Sequence, residues 1–467
     1  MSTSDFAFYL QWSKLLCQFL DMHQPLMDSY IIEYFTESHW NKLPNSWQVS
    51  LSKISLQGFC HQMLKIDSPS LNIDQSHSKC TAVILPLSLL AFSATAASLS
   101  YPYTPIDDKD TIEPLGGGGR ACEYGSQVSG LSHLFRRHVK PKKQHEIKEL
   151  AKIINEVCEN TKCCNVIDLG CGQGHLSRYL AYHYQLNVIA VEAVSCHLKT
   201  ALLYDKQITA DIEKTFKNDE TKKGNISYIE QMIDPEAGPE EVMSLFLSSE
   251  SKKREEYVLV GLHTCGNLST TMLRLFSESE SITGLVSVGC CYMKLFKTEE
   301  PHLPSGYPMS SSLANHRLSY EARELACHSK EVYMKRLQEG SDHLKIHSWR
   351  AALEIIFKKN GLRRPQLKIP KRVSKLPFNN YAAAVLQSVN VSHLNESDMV
   401  MINQLIDDQW QNIVMYFLLR LVIAPCIETL ILLDRLLFLK EKNIKCSLQP
   451  VFNPLVSPRN LVLTALK

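Results

Sequence analysis

A chain of 467 residues can bury one large core or two moderate ones. Its 45% hydrophobic and 21% charged residues exclude a disordered or fibrous chain, and a net charge of +2 with pI about 7.9 announces no bulk nucleic-acid binder while leaving room for a local basic patch. The 15 cysteines form no small-domain disulfide pattern and no secretory signal is read at the start, so thiols in a reducing compartment, cytoplasmic or nuclear, are the expectation.

Residues 5–40 place Phe6, Leu10, Leu15, Leu16, Phe19 and Leu20 in a helical rhythm that Leu26, Tyr30, Ile31 and Phe35 continue, predicting helix. A turn at 43–47 precedes helices predicted over 53–65 and 84–99. Tyr101–Val128, with the glycine run Gly116–Gly119, reads as a hinge or link. Residues 1–130 therefore read as a helical cap region and linker, more a selector of substrate than an enzyme.

Five of the eight residues from Arg136 to Lys143 are basic. The plain reading is a solvated charge run ahead of a helix at 144–158. The functional one is a basic rim in which Arg136, Arg137, Lys140, Lys142 and Lys143 contact phosphate on an RNA or protein acceptor.

The stretch Asn165–Ala181, NVIDLGCGQGHLSRYLA, predicts a strand (β1, 164–169), a tight turn at Gly170, Gly172 and Gly174, and a helix from His175. Unpaired N–H groups at that helix start would favour an electron-rich ligand. A second strand (β2, 187–192) ends in Glu192, 24 residues after Asp168, about where an acid grips a ribose diol. The G-x-G-x-G spacing departs from the dinucleotide pattern, and Asp168 precedes the glycines, where it can hold an ammonium group or the loop amides. Both features favour S-adenosylmethionine over NAD, leaving an NAD-linked oxidoreductase as a third choice.

Downstream, a helix over 195–215, β3 at 226–230, a short helix near 239–247, β4 at 257–262 and β5 at 285–289 are predicted. In a parallel sheet the ends of β4 and β5 lie beside the first loop, so His263, Cys265, Cys290 and Cys291 should converge near the ligand. Residues 131–294 are read as the donor-binding half of the core. Residues 295–410, with helices near 317–338 and 346–359 and a basic loop at 364–374, are read as an insertion covering the substrate side. Residues 411–467 complete the core. The apolar run there is broken by Arg420 and Pro425, predicting two buried helices or one kinked at Pro425; a membrane span at 411–431 is the alternative. Strands β6 (444–452) and β7 (460–465) close the chain as an antiparallel pair.

The string DLGCGQGH at 168–175 resembles motif I of class I methyltransferases. Together with PKKQHE at 141–146, GCCYMKL at 289–295 and SPRNL at 457–461, the chain resembles the methyltransferase-like protein 25 family over nearly its full length. The resemblance implies an α/β, class I (Rossmann-like) seven-stranded sheet with an antiparallel β6–β7 end, a helical N-terminal region and a large insertion after β5. It implies S-adenosylmethionine as cofactor, held by Asp168, Gly170, Gly172, Gly174 and Glu192, with Glu230 and Gln231 where such enzymes read the adenine. Transfer from a sulfonium needs mainly an aligned acceptor and excluded water. The family usually carries Asp where this chain has Asn267, which puts any charge-dependent task there in doubt.

One branch of the family is named after rRNA adenine dimethylases, whose post-β4 loop holds the flipped base. This chain has HTCG at 263–266 instead, so adenine N6 methylation is not expected. That loop and the paired cysteines are similar to a family of tRNA 2′-O-methyltransferases, which keeps an RNA acceptor open, with His263, Cys265 and Lys143 as catalytic candidates. His263 also reads as a hydrogen-bonded core residue, and Cys290 and Cys291 as small buried ones. Zinc on His263, Cys265, Cys290 or Cys291, with Cys327 and His328, is not expected, because contiguous cysteines do not easily share one ion. The alternative function is an inert methyltransferase-fold scaffold that captures a protein or RNA.

Overall fold

The structure, a computed structural model, describes residues 3–64, 83–103, 132–215, 224–235, 237–246, 255–295, 306–338, 344–362, 376–389, 391 and 396–467. The glycine run at 116–119, the basic loop at 364–374 and most of the 217–224 connection lie outside the described residues.

Seven strands form one sheet in the order β3-β2-β1-β4-β5-β7-β6. They are β1 Asn165–Leu169, β2 Asn187–Glu192, β3 Ile226–Glu230, β4 Tyr257–Thr264, β5 Ile282–Gly289, β6 Lys445–Pro450 and β7 Leu461–Leu466. The first five run parallel, and β7 pairs antiparallel with both β5 and β6. This is the seven-stranded α/β sheet with an antiparallel end that the resemblance implied.

Strand alternation explains the two faces. Val166, Val258, Val260, Val286 and Val288 point into one core with Leu150, Ile154 and Leu180. Ile167, Leu169, Leu259 and Leu285 point into the other with Met272, Phe276, Leu432 and Leu436. Both faces are covered, so the central strands read as continuous apolar runs. The Pro141–Thr161 helix starts at a proline, whose missing N–H costs nothing there, and sends Ile147, Leu150, Ala151 and Ile154 into the first core. Full burial of each leucine or isoleucine among them contributes about 1.5–3 kcal/mol.

The chain divides into two compact units. One contains Met1–Cys17, Tyr101–Leu318 and Glu428–Lys467; the other contains Gln18–Ser100 and Ser319–Ile427. The second has its own core, built from Trp349, Leu353, Phe357, Tyr381, Val385 and Ile402. Parts of the expected N-terminal cap and of the expected insertion thus fall within one unit.

Several elements differ from expectation. The 5–40 helix is broken: Thr3–Met22 and Gln24–Met27 are separate helices, and Ile31–Glu33 is a 3-10 turn. Pro25 cannot donate to the preceding turn and ends the first run. The 317–338 helix is two, Tyr320–Leu325 and Lys330–Gln338, because Ser319 and Ser329 each cap a new start by accepting from Ala322 N and Val332 N. Phe378–Ser388 is a helix that the sequence reading lacked. The apolar run near the end is one 46-residue helix, Glu396–Glu441, with Pro425 inside it. It is long and apolar enough to cross a membrane, with mean hydropathy 2.0 over its most apolar window, and 94% of that window is buried within the protein. Pro425 removes one helical hydrogen bond, at about 3 kcal/mol, and burial of Ile423, Ile427, Leu430 and Ile431 around it offsets that loss.

Candidate functional site

The glycine loop leaves β1 with Gly170, Gly172 and Gly174 at φ of +71°, +58° and +67°, a conformation L side chains rarely adopt. At Gly172 a β-carbon would meet no atom within 4 Å, so the loop presents bare backbone to open space. Most of its amides are occupied, however. Gly170 and Cys171 N–H both donate to Val191 O, and Gly174 N–H donates to Cys171 O. The first two of these bonds tie the loop to the end of β2, and the helix that follows opens with Arg178 N–H donating to Gly174 O, so the expectation of free N–H groups at the helix start, ahead of Arg178, is not contradicted by them. Arg178, buried one turn into the next helix, donates to Gln173 O at 2.7 Å and holds the loop from below.

A cavity of about 390 Å³ opens in front of this loop, lined by Lys140, Lys143, Asp168, Gly170, Gly172 and Leu262, among others. That volume is in the range of pockets that take small ligands. Asp168 is 2% exposed, and among the described residues its carboxylate has one hydrogen-bond partner, Ser177 Oγ at 2.6 Å. Burial pushes the carboxyl up to about 6, against the lowering effects of Ser177 and the Lys143 charge. Ser177 was missed, although it lies in the Asn165–Ala181 stretch.

Glu192 turns toward the loop. Its Oε2 accepts from Gly172 N–H at 2.8 Å and its Oε1 from Val194 N–H at 2.9 Å. So Glu192, rather than Asp168, is the acid that holds a loop amide. A carboxylate has about four acceptor positions, and two remain for hydroxyl groups. Glu230 stands in register beside Glu192 on β3 and is exposed; Gln231 N–H donates to Glu192 O. Glu192, Glu230 and Gln231 border the loop without lining the cavity, and Gly174 caps the following helix.

The basic stretch is divided. Lys140 and Lys143 line the cavity, while Arg137 pairs with Asp211 at 3.2 Å. Lys142 and Lys143 flank Glu146 at 3.7 and 3.8 Å. Burial presses the Lys143 ammonium below its usual range, against the raising effects of Glu146 and Asp168. Arg136 is partly buried at the end of the short helix His133–Arg136.

Glu146 is the functional candidate that sequence reading passed over, though it ends the PKKQHE string. It is 1% exposed, accepts from His263 Nε2 at 2.9 Å and from Ser457 Oγ at 2.7 Å. Burial would raise its carboxyl, but the His263 hydrogen bond and charge, Lys143 and Ser457 outweigh that and hold it at about 2. His263 sits at φ +65° where β4 ends, next to the cavity wall at Leu262. Its Nε2 faces Glu146, as in a carboxylate–histidine pair that sets ring orientation.

The post-β4 and post-β5 loops do converge. Cys265 Sγ lies 3.2 Å from Cys290 Sγ and 3.1 Å from Cys291 Sγ, and the last two are 3.4 Å apart. Gly266, at φ +59°, allows the approach: a β-carbon there would come within 2.8 Å of Lys294 O. Below the loops, Glu428 accepts from Tyr103 Oη, Tyr292 Oη and Arg459 Nη1 at 2.5, 2.9 and 2.9 Å. Arg435 donates to Ser269 Oγ at 2.9 Å and lies over the Tyr292 ring. Asn267 is buried at the first helical position, where its carbonyl accepts from the Thr270 and Thr271 hydroxyls. Cys327 and His328 belong to the other compact unit.

A family model described as a methyltransferase domain matches residues 142–298. "Probable methyltransferase-like protein 25" of Homo sapiens is 23% identical over 97% of this chain and 96% of its own length. The Mus musculus protein of that name is 33% identical over 46% of this chain and 38% of its own. Among solved structures, the plantazolicin methyltransferase BpumL in complex with SAH covers 55% of this chain and 79% of its own at 10% identity, with a TM-score of 0.20. The cofactor that goes with such a domain is S-adenosylmethionine, and the open glycine backbone and the buried carboxylate at the cavity fit it. The chain is similar over nearly its whole length to the human methyltransferase-like protein 25, and the match to a methyltransferase domain falls on the sheet that carries this cavity.

Proposed function

We propose that the protein is an active S-adenosylmethionine-dependent methyltransferase whose donor occupies the cavity in front of the glycine loop. The observation that carries this reading is Asp168: a buried carboxylate at a 390 Å³ cavity, with Ser177 as its one hydrogen-bond partner among the described residues. An ammonium group is the natural counterpart of such a carboxylate. Glu192 keeps the loop in shape and has acceptor capacity left for the ribose hydroxyls. When bound, the cofactor supplies an electrophilic methyl group. The chain's own task is to hold an acceptor in line with it and keep water out. Lys140 and Lys143 at the cavity support a phosphate-bearing acceptor, with RNA the first class to test. His263, oriented by Glu146, is the group offered to the acceptor.

The direct test is isothermal titration with the donor and its demethylated product, followed by a labelled-donor assay against fractionated cellular RNA and protein. Donor binding that falls at least about tenfold in Asp168→Asn supports the reading. Folded protein that binds neither compound overturns it. Donor binding without any labelled acceptor favours the inert scaffold.

A further inference from the structure

We propose that Cys265, Cys290 and Cys291 bind a single zinc ion through three thiolates, leaving the fourth position open. These three form a group of potential ligands whose sulfur atoms all lie within 4.8 Å of one another. The three Sγ–Sγ separations, 3.1, 3.2 and 3.4 Å, make a nearly equilateral triangle. None is a covalent bond, which would be about 2.05 Å. All are shorter than ordinary contact between sulfur atoms, about 3.6 Å. Three thiols do not gather so closely for packing alone. A tetrahedral zinc with Zn–S near 2.3 Å sets its sulfurs about 3.75 Å apart, so each thiol needs to move outward by only a few tenths of an ångström. An iron–sulfur cluster spreads its cysteine sulfurs much farther apart and does not fit this triangle.

The objection that contiguous cysteines point apart is met by the backbone. Cys291 has φ −96° and ψ +69°, a turn that sets its thiol on the same side as that of Cys290 just before the Tyr292–Lys294 turn. Burial of Tyr292 against Glu428 fixes that turn from beneath, and the glycine at 266 brings in the third thiol from β4. Cys265 and Cys290 both point their sulfurs toward His263 O, at 3.3 and 3.7 Å, so the two are aimed at one locus. Lys294 acts electrostatically on Cys265 and Cys291, and Lys143 and Arg435 on Cys290. Those cations balance the negative charge of three thiolates around a divalent ion.

Binding releases the three thiol protons to solvent and forms three Zn–S bonds, with no change in oxidation state. Cys265 is exposed, so the fourth position takes water or one donor atom of a small ligand. Soft sulfur ligands and a tetrahedral pattern select zinc over magnesium, calcium or manganese.

The test uses the full chain, purified with reductant and no cofactor, so its result is independent of the donor reading. Elemental analysis should find one zinc per chain. After stripping with chelator, zinc titrated against a chromophoric competitor should rebind at one equivalent. Cobalt replacing zinc should show a thiolate charge-transfer band, reduced by about one third in Cys265→Ser and in Cys291→Ser. Each variant should weaken zinc binding by at least about 100-fold, while Cys164→Ser and Cys196→Ser, at exposed cysteines elsewhere, leave it unchanged. Circular dichroism identifies a variant that has not folded; the cobalt spectrum of the unmutated chain then decides. Absence of stoichiometric zinc binding by the reduced chain overturns the proposal. So does zinc retained in both site variants, or a cobalt spectrum without a thiolate band.

Discussion

At Asp168 stability and binding pull in opposite directions. Its folded value of about 6 stands above the unfolded 3.8, so its contribution to stability is present below about pH 4 and is lost as pH rises through 6. An ammonium-bearing donor wants the ionised form. Donor affinity should therefore climb between pH 5 and 7 and flatten above, measured by titration calorimetry. Asp168→Asn should lose that climb and, at pH 7.5, resist denaturant as well as or better than the unmutated protein, by up to about 2–3 kcal/mol. A variant that is both weaker in binding and less stable would show Asp168 to be a structural anchor. Glu146 works with the opposite sign. Held at about 2 against an unfolded value of 4.5, it contributes stability above pH 4.5 that is lost as pH falls toward 2. Glu146→Gln should cost about 2–3 kcal/mol at pH 7 and less as the solution is acidified, read from urea unfolding at a series of pH values.

Among elements, the loops after β4 and β5 are pinned from below by the last helix. Glu428, itself buried, gathers two tyrosine hydroxyls and the Arg459 guanidinium. Removing it leaves a buried cation without its counter-ion, and Glu428→Ala should destabilise the fold by about 3–5 kcal/mol in chemical denaturation. Gly266→Ala should lower the melting temperature, because the added carbon meets Lys294 O in a backbone conformation that costs about 1–3 kcal/mol for a side-chain-bearing residue. Gly238→Ala, where a β-carbon meets nothing within 4 Å and φ is ordinary, is the matched control.

On the scale of the whole molecule, the chain holds two compact units with separate cores, and the cavity belongs to the one that carries the sheet. A ligand stabilises what it binds by about 2.7 kcal/mol at 100 times its dissociation constant. The demethylated cofactor product should therefore shift the melting of the sheet unit upward. If the two units melt separately, the transition of the other should stay in place in differential scanning calorimetry. A shift confined to the unit that holds Ser319–Ile427 would place the ligand elsewhere.

The seven strands were legible in the chain because each is a short apolar run closed by a glycine, an acid or a polar loop, whereas the seven-stranded sheet came with the resemblance and the strand order only with the structure. The glycine loop was legible because positive φ favours glycine at those positions, and Asp168 and Glu192 stood out as acids in otherwise apolar strands. Partners contributed from far along the chain were not. Glu146 meets His263 from 117 residues away and Ser457 from 311, and periodicity carries no record of such pairs. The division of the loop's acids, with Glu192 on the amide and Asp168 at the cavity, needed the packed strands to show which carboxylate each N–H reaches. Likewise the three thiols are two contiguous residues and a third 25 positions upstream, and only the packed strand ends, a glycine and a buried tyrosine bring them together. Local rules govern backbone shape, whereas a site assembled from separate strand ends depends on how the core sets those ends side by side.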